Sequence, residues 1–374
     1  MTVKYLLKID FIQVIYYNTT IKGENMFKIR NKRETGFEIL RILAMLFIML
    51  VHLLNAGGML DNAAKNTITW HKLLYSFFTP SVNIFVLVSA YFMVSSKIKF
   101  KKLINLWGQV IFYCITSYLI SAFFIYDNFS VKKLIGCFFP IINKKYWFFS
   151  AYFILMLLSP FLNKILNNST KKELYSLCVL LFVLSYLYTK QSIGQIIGLN
   201  MGYSVWWFVC LYIFAGTLRL HPLKIKKVYL LIIYFVSTLL LWLFSIKPTS
   251  NYWLNLIYNT LDYTSPLVVI SSISLLLLFK DINIKNIYLH NTLCYISTLT
   301  FGVYLIEGSH LHNYLHWNVF KIQNFYTSPI SPLWVLIVAI ETFVFCALIE
   351  AIRKIVIMLF QKIKTKKQDK KINN

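Results

Sequence analysis

Apolar residues fill long stretches of this chain without regular polar alternation, and charged residues gather in the short gaps between them. Stretches of about twenty apolar residues, coiled as α-helix, match the hydrocarbon thickness of a bilayer. Hydropathy and length predict ten such helices, at 37–56, 73–95, 103–126, 146–166, 173–189, 203–220, 227–246, 260–279, 292–311 and 332–358. The fifth and sixth are short. A further apolar stretch, 134–142, cannot span and is expected to be interfacial or re-entrant. The expected fold class is all-α, a polytopic membrane protein without internal repeats or a separable soluble domain.

Composition agrees: of 374 residues, 58% are hydrophobic and 14% charged, which excludes an ordinary soluble domain. The 38 Lys+Arg against 13 Asp+Glu could suggest nucleic acid, but the cations lie in connectors between apolar segments, so no nucleic-acid partner is expected. With the N-terminus in the cytoplasm, 25 basic residues fall on the cytoplasmic side and nine outside. This asymmetry predicts ten spans with both termini cytoplasmic. The expected division is a lead at 1–29, a membrane domain at 30–358, and a basic tail at 359–374 that sits near anionic lipid.

The first 25 residues do not read as a signal peptide: Lys8, Asp10 and Gln13 interrupt the apolar run, and no A-x-A site follows. Met26 opens a basic lead (Lys28, Arg30, Lys32, Arg33) and is the expected physiological start; the competing reading is an interfacial helix over 3–17. Richness in Lys, Ile, Asn, Tyr and Phe suggests an AT-rich bacterial genome, hence a bacterial plasma membrane. Six scattered cysteines without CxxC spacing read as core residues, with no disulfide framework.

Candidate chemistry begins in the first predicted helix. Arg41 and His52 are eleven positions apart, which returns to the same helix face after a rise of about 16 Å. Glu38 lies one turn before Arg41 on that side. This spacing predicts the guanidinium near one membrane end and the imidazole about halfway through. Ionisable groups in a spanning helix are costly and usually mark a functional path. Lys99 and Lys102 put two cations on one face at the start of the third span, a positive-inside anchor or a phosphate clamp for an anionic cosubstrate. Glu307 precedes His310 by three positions, so the two are expected to touch. His310, His312 and His316 form an H-x-H-x3-H run without HExxH, and no metal is expected.

Other polar and aromatic residues read as structural. Glu341 and Glu350 fall on opposite faces of the last span, with Glu350 expected to reach cytoplasmic headgroups. Trp147, Trp206 and Trp207 read as interfacial anchors. Pro160 and Pro266 are expected to break helix hydrogen bonding and so to hint at a cavity. There is no G-x-S-x-G elbow, P-loop or dinucleotide fingerprint, which disfavours a serine hydrolase and an ATP-driven pump.

Over about residues 30–350 the chain resembles the acyltransferase-3 family of integral-membrane enzymes that O-acylate bacterial surface polysaccharides. Arg41-x10-His52, preceded by Glu38-Ile39-Leu40, is similar to the family's first-helix signature. The likeness continues through Ser81 to Tyr91, Tyr146-Trp147-Phe148-Phe149, Ser159-Pro160-Phe161-Leu162-Asn163, Trp207-Phe208 with Leu211-Tyr212, and Thr300-Phe301-Gly302-Val303-Tyr304-Leu305. Two positions depart from it: Lys99-Phe100-Lys101-Lys102 stands where relatives often have Arg-x-x-Arg, and Glu307 where they commonly have His. The resemblance implies transfer of an acyl group, most simply acetyl, from a cytoplasmic acyl-CoA cosubstrate to a hydroxyl of a polysaccharide or lipid-linked glycan, with no bound cofactor. His52 would then be the general base, Arg41 the group that binds the donor or steadies developing charge, and Glu38 the residue that holds Arg41; Lys99 and Lys102 would assist with acyl-CoA, and Glu307 and His310 are secondary candidates. A flippase or polymerase for lipid-linked glycans is the alternative class.

Overall fold

A computed structural model describes residues 33–94, 96, 100–126, 128–143, 145–189, 200–246 and 261–372. The lead through residue 32, including Met26, and also Lys99, lie outside the described residues. Among the described residues there are helices and turns and no strand. The helices of eight residues or more are α1 (Thr35–Leu54), α2 (Ile68–Phe78), α3 (Ser81–Met93), α4 (Phe100–Ile120), α5 (Trp147–Asn168), α6 (Lys171–Thr189), α7 (Val205–Leu220), α8 (Lys227–Ile246), α9 (Pro266–Lys280), α10 (Ile287–Ser297), α11 (Thr300–Glu307) and α12 (Ser331–Ile372).

Six described segments are long and apolar enough to cross a membrane: α1, α2 with α3, α4 with the turn that follows it, α5, α8, and α12 as far as Gln361. Helices α7 and α9 are apolar but shorter. The ninth expected span is not one helix. It divides at Thr298-Leu299 into α10 and α11, of 11 and 8 residues. A break at membrane depth needs its freed carbonyls satisfied. Lys354 of α12 does this, its Nζ donating to the Thr298 carbonyl and hydroxyl, each at 2.7 Å.

Helix α1 lies at the centre because it is apolar on nearly every side, and it packs on α2, α3, α9, α10 and α12. Its start is pinned where the Gly36 N–H donates to the Ile282 carbonyl at 3.0 Å, and a Cβ on Gly36 would collide with the Phe279 carbonyl.

Several local expectations need correction. Pro160 does not break α5. The Ser159 hydroxyl donates to the Met156 carbonyl at 2.9 Å, filling the place of the amide that proline lacks. Pro266 is the first residue of α9, where no intrahelical donor is required. Trp207 is fully buried, its indole N–H donating to Asn83 Oδ1 at 3.0 Å, whereas Trp206 is exposed as an anchor would be. Glu350 is buried within the protein and does not reach outward to headgroups: Arg353 grips it with two bonds of 2.7 Å, Tyr113 donates at 2.5 Å and Gln109 at 3.2 Å. The reason is local, since Gly302 of α11 leaves no room for a Cβ beside that carboxylate and so makes the space it occupies. Stretch 134–142 forms a short turn of helix and loops with Ile135, Phe138, Phe139 and Ile142 exposed. Helix α12 runs through position 358 without interruption, to Ile372.

Candidate functional site

Helix α1 carries two polar stations, and its limits decide where they fall. Arg41 lies in the second turn and His52 in the last. About 16 Å separates them along the axis.

At the first station the Glu38 carboxylate is almost fully buried and accepts from Arg41 Nη1 at 2.8 Å. The Ser297 hydroxyl of α10 donates a short bond to its other oxygen, and Arg33 approaches that oxygen at 3.7 Å. Glu38 therefore fixes Arg41 and ties α1 to α10. The Arg41 guanidinium lies 5.3 Å from the Phe92 ring. Arg219, at the end of α7, reaches the same ring at 6.0 Å and the neighbouring Tyr91 at 4.7 Å, and approaches Glu34 at 3.5 Å. Lys102 is exposed at the start of α4, close enough to Arg41 to feel its charge. The result is a cluster of cations balanced by only Glu34 and Glu38 among the described residues. Arg219 had no local sequence signal beyond a cation at a helix end; the Phe92 ring is what it shares with Arg41.

The second station is built on α1 and α11. His52 Nδ1 lies 2.9 and 2.8 Å from the two oxygens of Glu307, the last residue of α11, whose carboxylate is fully buried. A carboxylate only accepts, so Nδ1 carries the proton and Nε2 is left as the basic nitrogen. His312 Nδ1 donates toward the same residue, 3.0 Å from its backbone carbonyl and 3.1 Å from its carboxylate. His316, also buried, brings Nε2 to 3.2 Å of Glu307 without hydrogen-bond alignment, and its ring packs 4.3 Å from that of His312. His310, expected beside Glu307, points elsewhere: its Nδ1 is 3.3 Å from the Ser117 hydroxyl and its ring lies against Tyr118. Helix α11 ends at Glu307, and the chain turns through Gly308, so the helical spacing that would have paired 307 with 310 does not continue.

His52, His310 and His312 line a cavity of about 440 Å³, together with Lys145, Trp147 and Asn313. Trp147 is thus a wall of this cavity, its ring parallel to Tyr263 within 18°. His52, Glu307 and His312 also place three donor atoms within 4.8 Å of one another, a set that could grip a divalent ion. The His52–Glu307 spacing is shorter than the roughly 3.3 Å between ligands of a tetrahedral ion bound at about 2.0–2.1 Å, and it is a hydrogen-bond length. The pair is best described as a hydrogen-bonded His–Glu dyad opening on a cavity, able to take a proton from a hydroxyl placed there.

A helical multi-pass membrane protein with a buried carboxylate–imidazole dyad is the class that these features define. The acyltransferase-3 family model, described as an acyltransferase domain, matches residues 34–351, and the chain belongs to that family. Its activity is acyl transfer. Comparison with curated proteins and with solved structures gives no match.

Proposed function

We propose that this protein is an O-acyltransferase of the bacterial plasma membrane. It would move an acyl group, most simply acetyl, from acyl-CoA to a hydroxyl of a cell-surface polysaccharide or its lipid-linked precursor. The observation that carries the reading is the His52–Glu307 dyad on the wall of a cavity. Glu307 holds the Nδ1 proton, so Nε2 can accept the proton of the acceptor hydroxyl as that oxygen attacks the thioester carbonyl. The tetrahedral intermediate then collapses with cleavage of the C–S bond, and the imidazolium returns its proton to the departing thiolate.

The first station, at Arg41, supports the donor half of the reaction. Arg41 and Arg219 present planar guanidinium groups suited to phosphate, with Lys102 adding a point charge. At about 16 Å from His52, Arg41 does not reach an oxyanion formed there, so its role narrows to binding the anionic part of acyl-CoA. Glu38 keeps it in place. Ten spans with both termini cytoplasmic would put this cation cluster on the cytoplasmic side, where acyl-CoA is made, and the dyad toward the outer side.

Purified protein in nanodiscs, given radiolabelled acetyl-CoA and membrane glycolipid, should release CoA and label the glycan. His52→Ala should remove both. A protein that leaves acetyl-CoA intact with every acceptor, yet moves labelled glycolipid across the bilayer, would be a flippase and would end this reading.

A further inference from the structure

The cavity wall at His52 carries a cation that the dyad chemistry does not use. Lys145 lines it and is half-buried. Among the described residues no carboxylate pairs with it. The acidic group nearest the cavity, Glu307, is engaged by His52 and His312. Lys145 is instead close to the thiols of Cys114 and Cys137 and to His310, and Lys133 adds a second positive charge near His310. A partly desolvated ammonium with no anion is unfavourable unless the ligand supplies one. The same cavity is also lined by Trp147, whose ring runs parallel to Tyr263 within 18°, and by the polar side chain of Asn313. A flat aromatic face with one cation and one amide suits a sugar ring bearing an acidic substituent.

We propose that the acceptor glycan is anionic, and that Lys145 binds a carboxylate or phosphate on the accepting sugar while Trp147 covers the ring. This rests on the acyl-transfer reading of the cavity and adds the substrate class. Lys145 sets specificity here; it takes no proton and forms no bond.

The test uses the full chain in nanodiscs with three probes: methyl β-D-glucoside, methyl β-D-glucuronide and methyl β-D-glucoside 6-phosphate. Calorimetric titration reads binding without turnover, and acetyl-CoA consumption reads KM for each probe. At least one charged glycoside should bind about tenfold more tightly than the neutral one, the scale of one charge-assisted hydrogen bond. Which one does so separates a uronate acceptor from a phosphorylated one. Lys145→Gln should erase the preference and Lys145→Arg should keep most of it, the change falling on the glycoside KM and not on that of acetyl-CoA. Equal binding of all three probes, a preference that survives Lys145→Gln, or a shift confined to acetyl-CoA would overturn the proposal. Failure of the acyl-transfer reading looks different: the calorimetric preference would stand, but no glycoside would give His52-dependent consumption of acetyl-CoA.

Discussion

At the scale of single residues, the dyad gives the sharpest expectations. Replacing His52 with Ala removes the imidazole whose Nδ1 is held by both oxygens of Glu307 and whose ring lines the cavity, and should abolish O-acylation without loss of expression. Glu307→Gln retains the shape but no longer fixes the Nδ1 tautomer by charge, so turnover should fall by about 10²–10⁴-fold with acetyl-CoA affinity little changed. Stopped-flow acetyl transfer, with monodispersity checked for each variant, makes the comparison; near-normal turnover in Glu307→Gln would remove the carboxylate from the mechanism. At the other station Arg41→Lys keeps charge but loses the planar fork, so donor affinity should weaken. Arg41→Ala should be worse, by roughly 2–5 kcal/mol, because the cation is lost altogether and the buried Glu38 keeps only Ser297 and the longer contact to Arg33. Affinity for acetyl-CoA in nanodiscs decides it, and unchanged binding in Arg41→Ala would return this residue to a purely structural role.

At the scale of elements, the break between α10 and α11 organises the interior. It frees the Thr298 carbonyl for Lys354, presents Ser297 to Glu38, and lets α11 end at Glu307 under His52. Gly302 brings α11 close to α12, and its missing side chain is replaced by the Glu350 carboxylate. Gly302→Ala should therefore destabilise the protein by about 1–3 kcal/mol through overpacking. Thermal unfolding in detergent measures this, and the loss should shrink when Glu350 is also changed to Ala, because the two positions share one space. Additive losses would show that they do not.

At the scale of the whole molecule, the charge asymmetry between connectors remains the argument for orientation. Reporter fusions at Lys171, Lys226 and Lys366 should report the cytoplasm, and fusions at Lys132 and Lys321 the outside. A tail that reports outside would leave an odd number of crossings. The division of α1 into a cation station and a dyad station also depends on this orientation, since it sets which side each faces.

The sequence by itself determined the class of protein, because twenty-residue apolar runs have few stable forms other than membrane helices, and the six long spans lie where such runs predict them. It also singled out Arg41, His52 and Glu38, because a charged residue inside an apolar run stands out without any knowledge of its partners. The Arg41–Glu38 contact was legible too, being one helical turn. What only the tertiary structure decided involves residues far apart in the chain or breaks in a helix. His52 meets Glu307 across 255 positions, and Arg219 meets Arg41 at the shared Phe92 ring. Glu350 turned out buried because a glycine on another helix made room for it, and Glu307 misses His310 because α11 stops. Hydropathy registers the cost of putting each group in lipid, but it carries no information on which distant side chain meets it, and that pairing is set by how the helices pack.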